Sequence, residues 1–135
     1  MKIIDDAINR IYEIRVPNVK LHLQNAPYNF NTATFPLLFI RNLKFNLEFG
    51  SNFSNAIDLS NSTGECEIVV VIEAFKQGTA AQNYTKSREI ISALAESIVN
   101  SSMRLENDGI EVREDFELTG DTVLFVVIAN VNFFL

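Results

Sequence analysis

Cysteine and histidine each occur once, as Cys66 and His22, and tryptophan not at all, which removes most of the side chains from which catalytic and metal sites are built. A single thiol forms no internal disulfide, and Cys66 sits in an apolar-leaning run where a small core residue is expected. A protein-built structural zinc site needs a cluster of Cys and His, which one of each cannot supply. Ser-His-Asp or Cys-His chemistry would have to recruit His22. That residue alternates with Lys20 and Gln24 on what reads as a solvent-facing strand side, and no nucleophile-elbow motif accompanies it. The five glycines stand apart at 50, 64, 78, 109 and 120, so no glycine-rich loop can cradle a phosphate. Basic residues number 11 against 17 acids, without a basic stripe to follow a nucleic-acid backbone. The longest apolar-rich run, residues 123–135, is too short to span a membrane as a helix and is broken by Asn130 and Asn132. Asp5 and Asp6 interrupt the place where a signal peptide needs an unbroken apolar stretch, so the expectation is a chain that folds in the cytoplasm.

What is present suits one folded domain over residues 1–135. The chain is 47% hydrophobic with 11 phenylalanines, enough apolar material for a core without cross-links. The net charge of −6 is unevenly placed: residues 1–103 contribute −1, whereas residues 104–121, with seven acids and two bases, contribute −5. An acidic stretch of this kind usually forms the solvated edge of a sheet, where charge guards against aggregation.

Periodicity then orders the elements. Ile4, Ala7, Ile8 and Ile11 line one face of a helix over residues 2–14, with Asp5 and Asp6 at its positive end and Pro17 beyond its other end. Val19, Leu21 and Leu23 alternate as a strand. Residues 25–34 lose all periodicity around Pro27, Tyr28 and Phe30. Residues 36–40 read as a short buried strand and 43–49 as a separate amphipathic one. The Ser- and Asn-rich residues 50–64 read as a long loop. Residues 65–75 are apolar on both sides from Ile68 to Ile72, which predicts a central strand.

Thr79 and Gln82 have capping-box spacing and predict the start of a helix of about 20 residues, roughly 30 Å long, ending near Asn100. Tyr84, Ser87, Ile91, Leu94, Ala95 and Ile98 form its inner face. A strand over 110–118 with an irregularity near Glu114, a turn at residues 119–121 and a strand over 122–135 complete the chain. The order predicts an α+β fold: a mostly antiparallel sheet with an N-terminal helix and one long helix packed on it.

Candidate sites are few. Asp58, Glu73 and Lys76 contain the residue types of a metal-dependent nuclease, but Glu73 and Lys76 would point to opposite faces of a regular strand. Glu111, Glu114, Asp115 and Glu117 could meet a hard cation, yet no Asp-rich calcium loop surrounds them. No catalytic, cofactor or metal site is therefore expected, and interfaces are the better candidates. Val131, Phe133, Phe134 and Leu135 end the chain without a polar tail, and two adjacent rings on a strand need cover on both sides, from the domain itself or from another chain. Tyr28, Phe30 and Phe35 either form a second contact surface or fold down onto the core.

In its length, its N-terminal amphipathic helix (residues 4–14) leading to a strand, its long helix (79–100) set between strands and its terminal hairpin (110–135), the whole chain resembles the tail terminator or tail-completion proteins of long-tailed bacteriophages. The resemblance implies a virion protein rather than an enzyme. It would form a homo-oligomeric ring, typically a hexamer, that ends tail-tube polymerisation and contacts the tail-tube protein on one side and a neck or head-completion protein on the other. DNA would pass through the ring without specific binding. An acidic lumen suits such passage because carboxylates repel phosphates, and Glu106, Asp108, Glu111, Glu114, Asp115 and Glu117 are its candidate lining. Two alternatives stand beside it: another head-to-tail joining or minor virion protein, and a small ligand-binding or enzymatic α+β domain.

Overall fold

The computed structural model describes residues 2–49 and 61–135. Helix α1 (Lys2–Tyr12) buries Ala7 and Ile11 and carries Asp5 in its first turn. It stops two residues earlier than the periodicity predicts: Ile14 N–H turns to the Ile11 carbonyl at 3.2 Å, and Arg15 Nη1 donates to the carbonyls of Tyr12 (2.6 Å), an acceptor that the helix end leaves open, and Ile14 (2.9 Å). Ile14 and Val16 stay buried beyond it.

Among the described residues five strands make one sheet: β1 (Leu21–His22), β2 (Leu37–Asn46), β3 (Thr63–Lys76), β4 (Arg104–Thr119) and β5 (Thr122–Phe134), in the order β1-β2-β3-β5-β4. Only β1 runs parallel to its neighbour. With helix α2 (Tyr84–Val99) set between β3 and β4, the fold is α+β and mostly antiparallel.

β3 and β5 lie at the centre, paired from Thr63 opposite Phe134 to Lys76 opposite Thr122. Ile68 to Val71 and Phe125 to Ala129 are fully buried, which is why these stretches are apolar at every position rather than at alternate ones. One face of the sheet, with Ile68, Val70, Phe125, Val127 and Phe133, packs against Ala7 and Ile11 of α1 and Ile90, Leu94 and Ile98 of α2. The other face presents Leu37, Phe39, Val69, Val71, Leu124, Val126 and Ile128, and it is roofed by the segment from Leu23 to Phe35 instead of a helix. Phe30 leans on Phe39 there, with ring centroids 6.2 Å apart. Each such side chain taken from water contributes roughly 1.5–3 kcal/mol, so both covers are needed to hold the sheet.

Several elements differ from the sequence expectation for local reasons. Residues 36–40 and 43–49 are not two strands: β2 is continuous, kinked by a bulge between Arg41 and Lys44 where Asn42 takes φ +54°. Of residues 19–23, only Leu21 and His22 pair as a strand. The irregularity in β4 falls between Leu105 and Ile110, where Gly109 has φ +72°, and not near Glu114. The Thr79–Gln82 capping box does not form, and α2 begins at Tyr84 with 16 residues. Its entry is held from β3, where a bulge between Val71 and Glu73 aims the Glu73 carboxylate at Gln82 N–H (2.6 Å) and Asn83 Nδ2 (2.8 Å). Residues 50–60 of the predicted loop lie outside the described residues.

At the far end of the central pair, Gly64 lies under the ring of Phe133. A Cβ on Gly64 would stand 2.5 Å from Cζ and 2.6 Å from Cε2 of that ring, and 3.1 Å from Cδ1 of Phe45. The two rings meet edge to face in the core and have little room to yield. Gly64→Ala is therefore expected to lower stability by about 1–3 kcal/mol, measurable as a lower urea midpoint at unchanged slope.

Candidate functional site

Where the Leu23–Phe35 roof ends, the same sheet face changes from apolar to charged. The register sets Arg41 opposite Glu67, Glu67 opposite Asn130 and Asn130 opposite Glu111. Arg41 Nε donates to Glu67 Oε1 at 3.1 Å, and its two terminal nitrogens fork onto both oxygens of Glu117 at 2.7 and 2.5 Å. Asn42 also donates to Glu67. With its amide turned to satisfy both neighbours, Asn130 donates to Glu67 Oε2 at 3.2 Å and accepts from Arg113 Nη1 at 2.7 Å. Arg113 lies 3.9 Å from Glu67 and 3.5 Å from Glu111. The hydrogen bonds that Arg41 donates to Glu117, with the charge of Glu117 and the hydrogen bond to and charge of Glu67, outweigh partial burial and raise the Arg41 pKa, so this guanidinium stays charged.

Beside this network lies an open groove of about 510 Å³ lined by Asn42, Leu43, Lys44, Glu65, Cys66, Glu67, Asn130, Val131 and Asn132. It is continued by a smaller one of about 250 Å³ toward Thr63 and Glu106. The groove offers amides and ion-paired charges to a solute. Cys66 adjoins it as a buried thiol, pushed up to about 12 by burial and, secondarily, by the nearby charge of Glu67, and so not a thiolate at neutral pH. Among the described residues no three His, Cys, Asp or Glu side chains converge to hold a metal ion. Ser87 donates to Glu114, but Ser87 is fully buried and no substrate can reach its hydroxyl.

The residues marked out by sequence are distributed unevenly. Glu111, Asp115 and Glu117 share the charged face, with Glu111 held by Arg113 and Glu117 by Arg41. Glu114 points the other way, to Ser87 beneath α2, because successive side chains of a strand alternate. The acidic segment is therefore not one continuous wall. Glu106 sits in the β4 bulge, and the Asp108 side chain lies outside the described residues, as does Asp58. Glu73 holds the start of α2 and is no member of a nuclease centre.

At the C-terminus, Val131, Phe133 and Leu135 are buried in the chain's own core, which corrects their candidacy as a subunit interface; Phe134 alone keeps partial exposure. Of the loop aromatics, Phe30 and Phe35 fold onto the core and only Tyr28 projects fully into solvent.

The acidic segment lies on β4 at the edge of the sheet, where its charge suggested it would be, but the apolar side chains of that edge were not singled out by the sequence. Phe116 and Leu118 stay 48% and 64% exposed there, on the helix side of the sheet. Phe116 stacks on buried Phe125 at 4.9 Å, and Tyr84 closes on the same ring at 5.1 Å. The alternation of Phe116 and Leu118 with Glu117 was the available signal, and the acidity of the segment had already marked its strand as an edge. The chain matches no protein-family model and no curated protein. No described helix is long and apolar enough to cross a membrane.

Two measurements check this arrangement. Arg41→Gln leaves Glu117 and Glu67 facing each other without their shared cation. It should cost about 1–2 kcal/mol in urea denaturation, less than for a fully buried pair because solvent still reaches these groups.

His22 plays a structural part: its Nε2 accepts from Val16 N–H at 3.0 Å, and burial, then the charge of Arg15, lowers its pKa below 6.5. A depressed histidine contributes stability that is present above the unfolded value of 6.5 and lost as pH falls through the folded value. His22→Gln should therefore be less sensitive than the parent to acidification below pH 6.5 when their thermal midpoints are compared.

Proposed function

We propose that this chain is a structural virion protein that works by assembly: a subunit of an oligomeric ring that caps a phage tail tube, ends its polymerisation and joins it to the head-side neck. The observation that carries the reading is the open β4 edge, long, acidic and bearing exposed Phe116 and Leu118, next to a polar network whose charges are already satisfied within the chain. Exposed apolar side chains beside unpaired backbone suit association with protein better than chemistry on a small molecule. The sequence of helix, strands, long helix and terminal hairpin supports the same reading by its likeness to tail terminators. Glu111 and Asp115 on the charged face are the carboxylates best placed to repel passing DNA, and Tyr28 and Phe134 remain candidates for contacts with tail-tube or neck protein. The same surfaces would serve another head-to-tail joining protein. The groove beside Glu67, which sets amides and charges beside Leu43 and Val131, favours a second reading, a binding site for a small solute.

Light scattering on a sizing column, with and without tail-tube protein, tests the proposal. The expected result is a discrete ring-sized species, formed alone or on the tube, and tubes whose growth stops when the protein is added. A chain that stays apart from tube protein and leaves tube growth unchanged overturns it and shifts attention to solutes in the groove.

A further inference from the structure

The β4 edge also says what kind of contact it can make. Thr119 and Thr122 flank the two-residue turn Gly120-Asp121, with Gly120 at φ +61°, so the backbone N–H and C=O of Thr119 point at β5. From Ile110 to Thr119 the register is unbroken. Residues 111, 113, 115 and 117 therefore also bond inward, and the backbone groups of 110, 112, 114, 116 and 118 face outward. At the opposite side of the sheet, β2 carries the bulge between Arg41 and Lys44, which leaves only Lys44 to Asn46 in regular register beyond it. Among the described residues β4 is thus the long regular free edge, and a head-to-tail continuation of the sheet from β4 onto β2 has no matching ladder.

We propose that β4 pairs antiparallel with β4 of a second copy about a two-fold axis at Glu114, joining two sheets into one. The edge is complementary to itself. In this register Val112 faces Phe116 and Ile110 faces Leu118, each twice, on the helix side, so the exposed apolar side chains of the edge are covered by their own counterparts. On the other side Arg113 of each copy faces Asp115 of the other, giving two opposite-charge pairs. Glu111 falls opposite Glu117, but both carboxylates already have cations, Arg113 and Arg41 respectively. Glu114 meets its own counterpart while bonded to Ser87.

Neighbouring registers are worse. Centring the axis on residue 113 sets Arg113 against Arg113 and Glu114 against Val112; centring it on 115 sets Asp115 against Asp115 and Glu114 against Phe116. The chosen register makes about eight backbone hydrogen bonds through the outward groups, and about ten if the Phe116 N–H of each copy leaves Asp115 Oδ1, to which it donates at 2.8 Å. This pairing goes beyond the ring reading: it joins copies two by two, and building pairs into a ring requires a second surface.

The test uses the full chain with single substitutions. Glu114→Cys brings two thiols together at the axis and should give a covalent dimer under mild oxidation, seen on a non-reducing gel. Leu118→Cys places the two thiols roughly 27 Å apart, eight residues along extended strands, and should not. Native Cys66 is buried and stays out of the reaction.

Because Glu114→Cys also removes the bond to Ser87, the unmodified protein and Asp115→Arg are compared by sedimentation over a concentration series. Asp115→Arg sets Arg against Arg113 twice and should weaken the dimer about tenfold. Equal cross-linking at 114 and 118, or a parent chain that remains monomeric at millimolar concentration, overturns the pairing, as does an Asp115→Arg dimer of undiminished strength. Rings that form and end tube growth without a cross-link at 114 overturn the pairing and leave the ring reading standing; dimers that cross-link at 114 and ignore tube protein do the reverse.

Discussion

Everything in this molecule is arranged around the pairing of β3 with β5. The two strands run together over their whole length, and their middle stretches are apolar on both sides, so neither face can be left to water. A sheet with two hydrophobic faces needs two covers, and the described residues form only two α-helices. Both lie on the same face, α1 over one part and α2 over another. The second face is closed by chain without regular structure beyond a single turn, through Phe30, Ala33 and Phe35. A loop can do this because it follows β1, which is tied to the end of β2 and so delivers the following residues directly above Phe39 and Val69.

The roof is short, and the chemistry of the sheet changes where it stops. Beyond Ile128 the outward residues of β5 become Asn130 and Asn132, and beyond Phe39 and Val69 the facing positions become Arg41 and Glu67. These charges are only partly exposed, and what makes their position tolerable is mutual satisfaction: Arg41 holds Glu67 and Glu117 together, Arg113 holds Glu111, and Asn130 bridges the two halves. Arg41 has a further consequence for shape, because Glu117 belongs to β4 and Arg41 to β2, which are separated by the two central strands. A fork between them is possible only when the sheet curls, so the ion pair and the curvature support each other.

Curling and bulges also decide which edge stays open. The kink at Asn42 spoils the outer ladder of β2, while the corresponding irregularity in β4 is confined to its first residues and leaves the rest straight. The acidic run that made residues 104–121 conspicuous in the sequence is thereby placed on an edge strand, alternating with Phe116 and Leu118. Charge there discourages indiscriminate pairing, and the apolar residues between the charges favour a partner that can match both.

Sequence alone determined those features that depend on local periodicity. The helix over α1, the central character of β3 and β5, the terminal hairpin and the α+β class follow from the 3.6- and 2-residue spacing of apolar side chains, which backbone geometry imposes wherever one side or both must be buried. Tertiary structure decided what depends on residues distant in the chain. Glu73, rather than the nearby Thr79, holds the entry to α2 because a bulge in another strand aims it there. Val131, Phe133 and Leu135 became core because β3 and the two helices enclose them, which their spacing could not reveal. Arg41 and Glu117 meet across 76 residues of sequence, a pairing that no local pattern shows. Burial and pairing of this kind are properties of the whole sheet, since an isolated strand pattern is the same whether its neighbour is another strand, a helix or water.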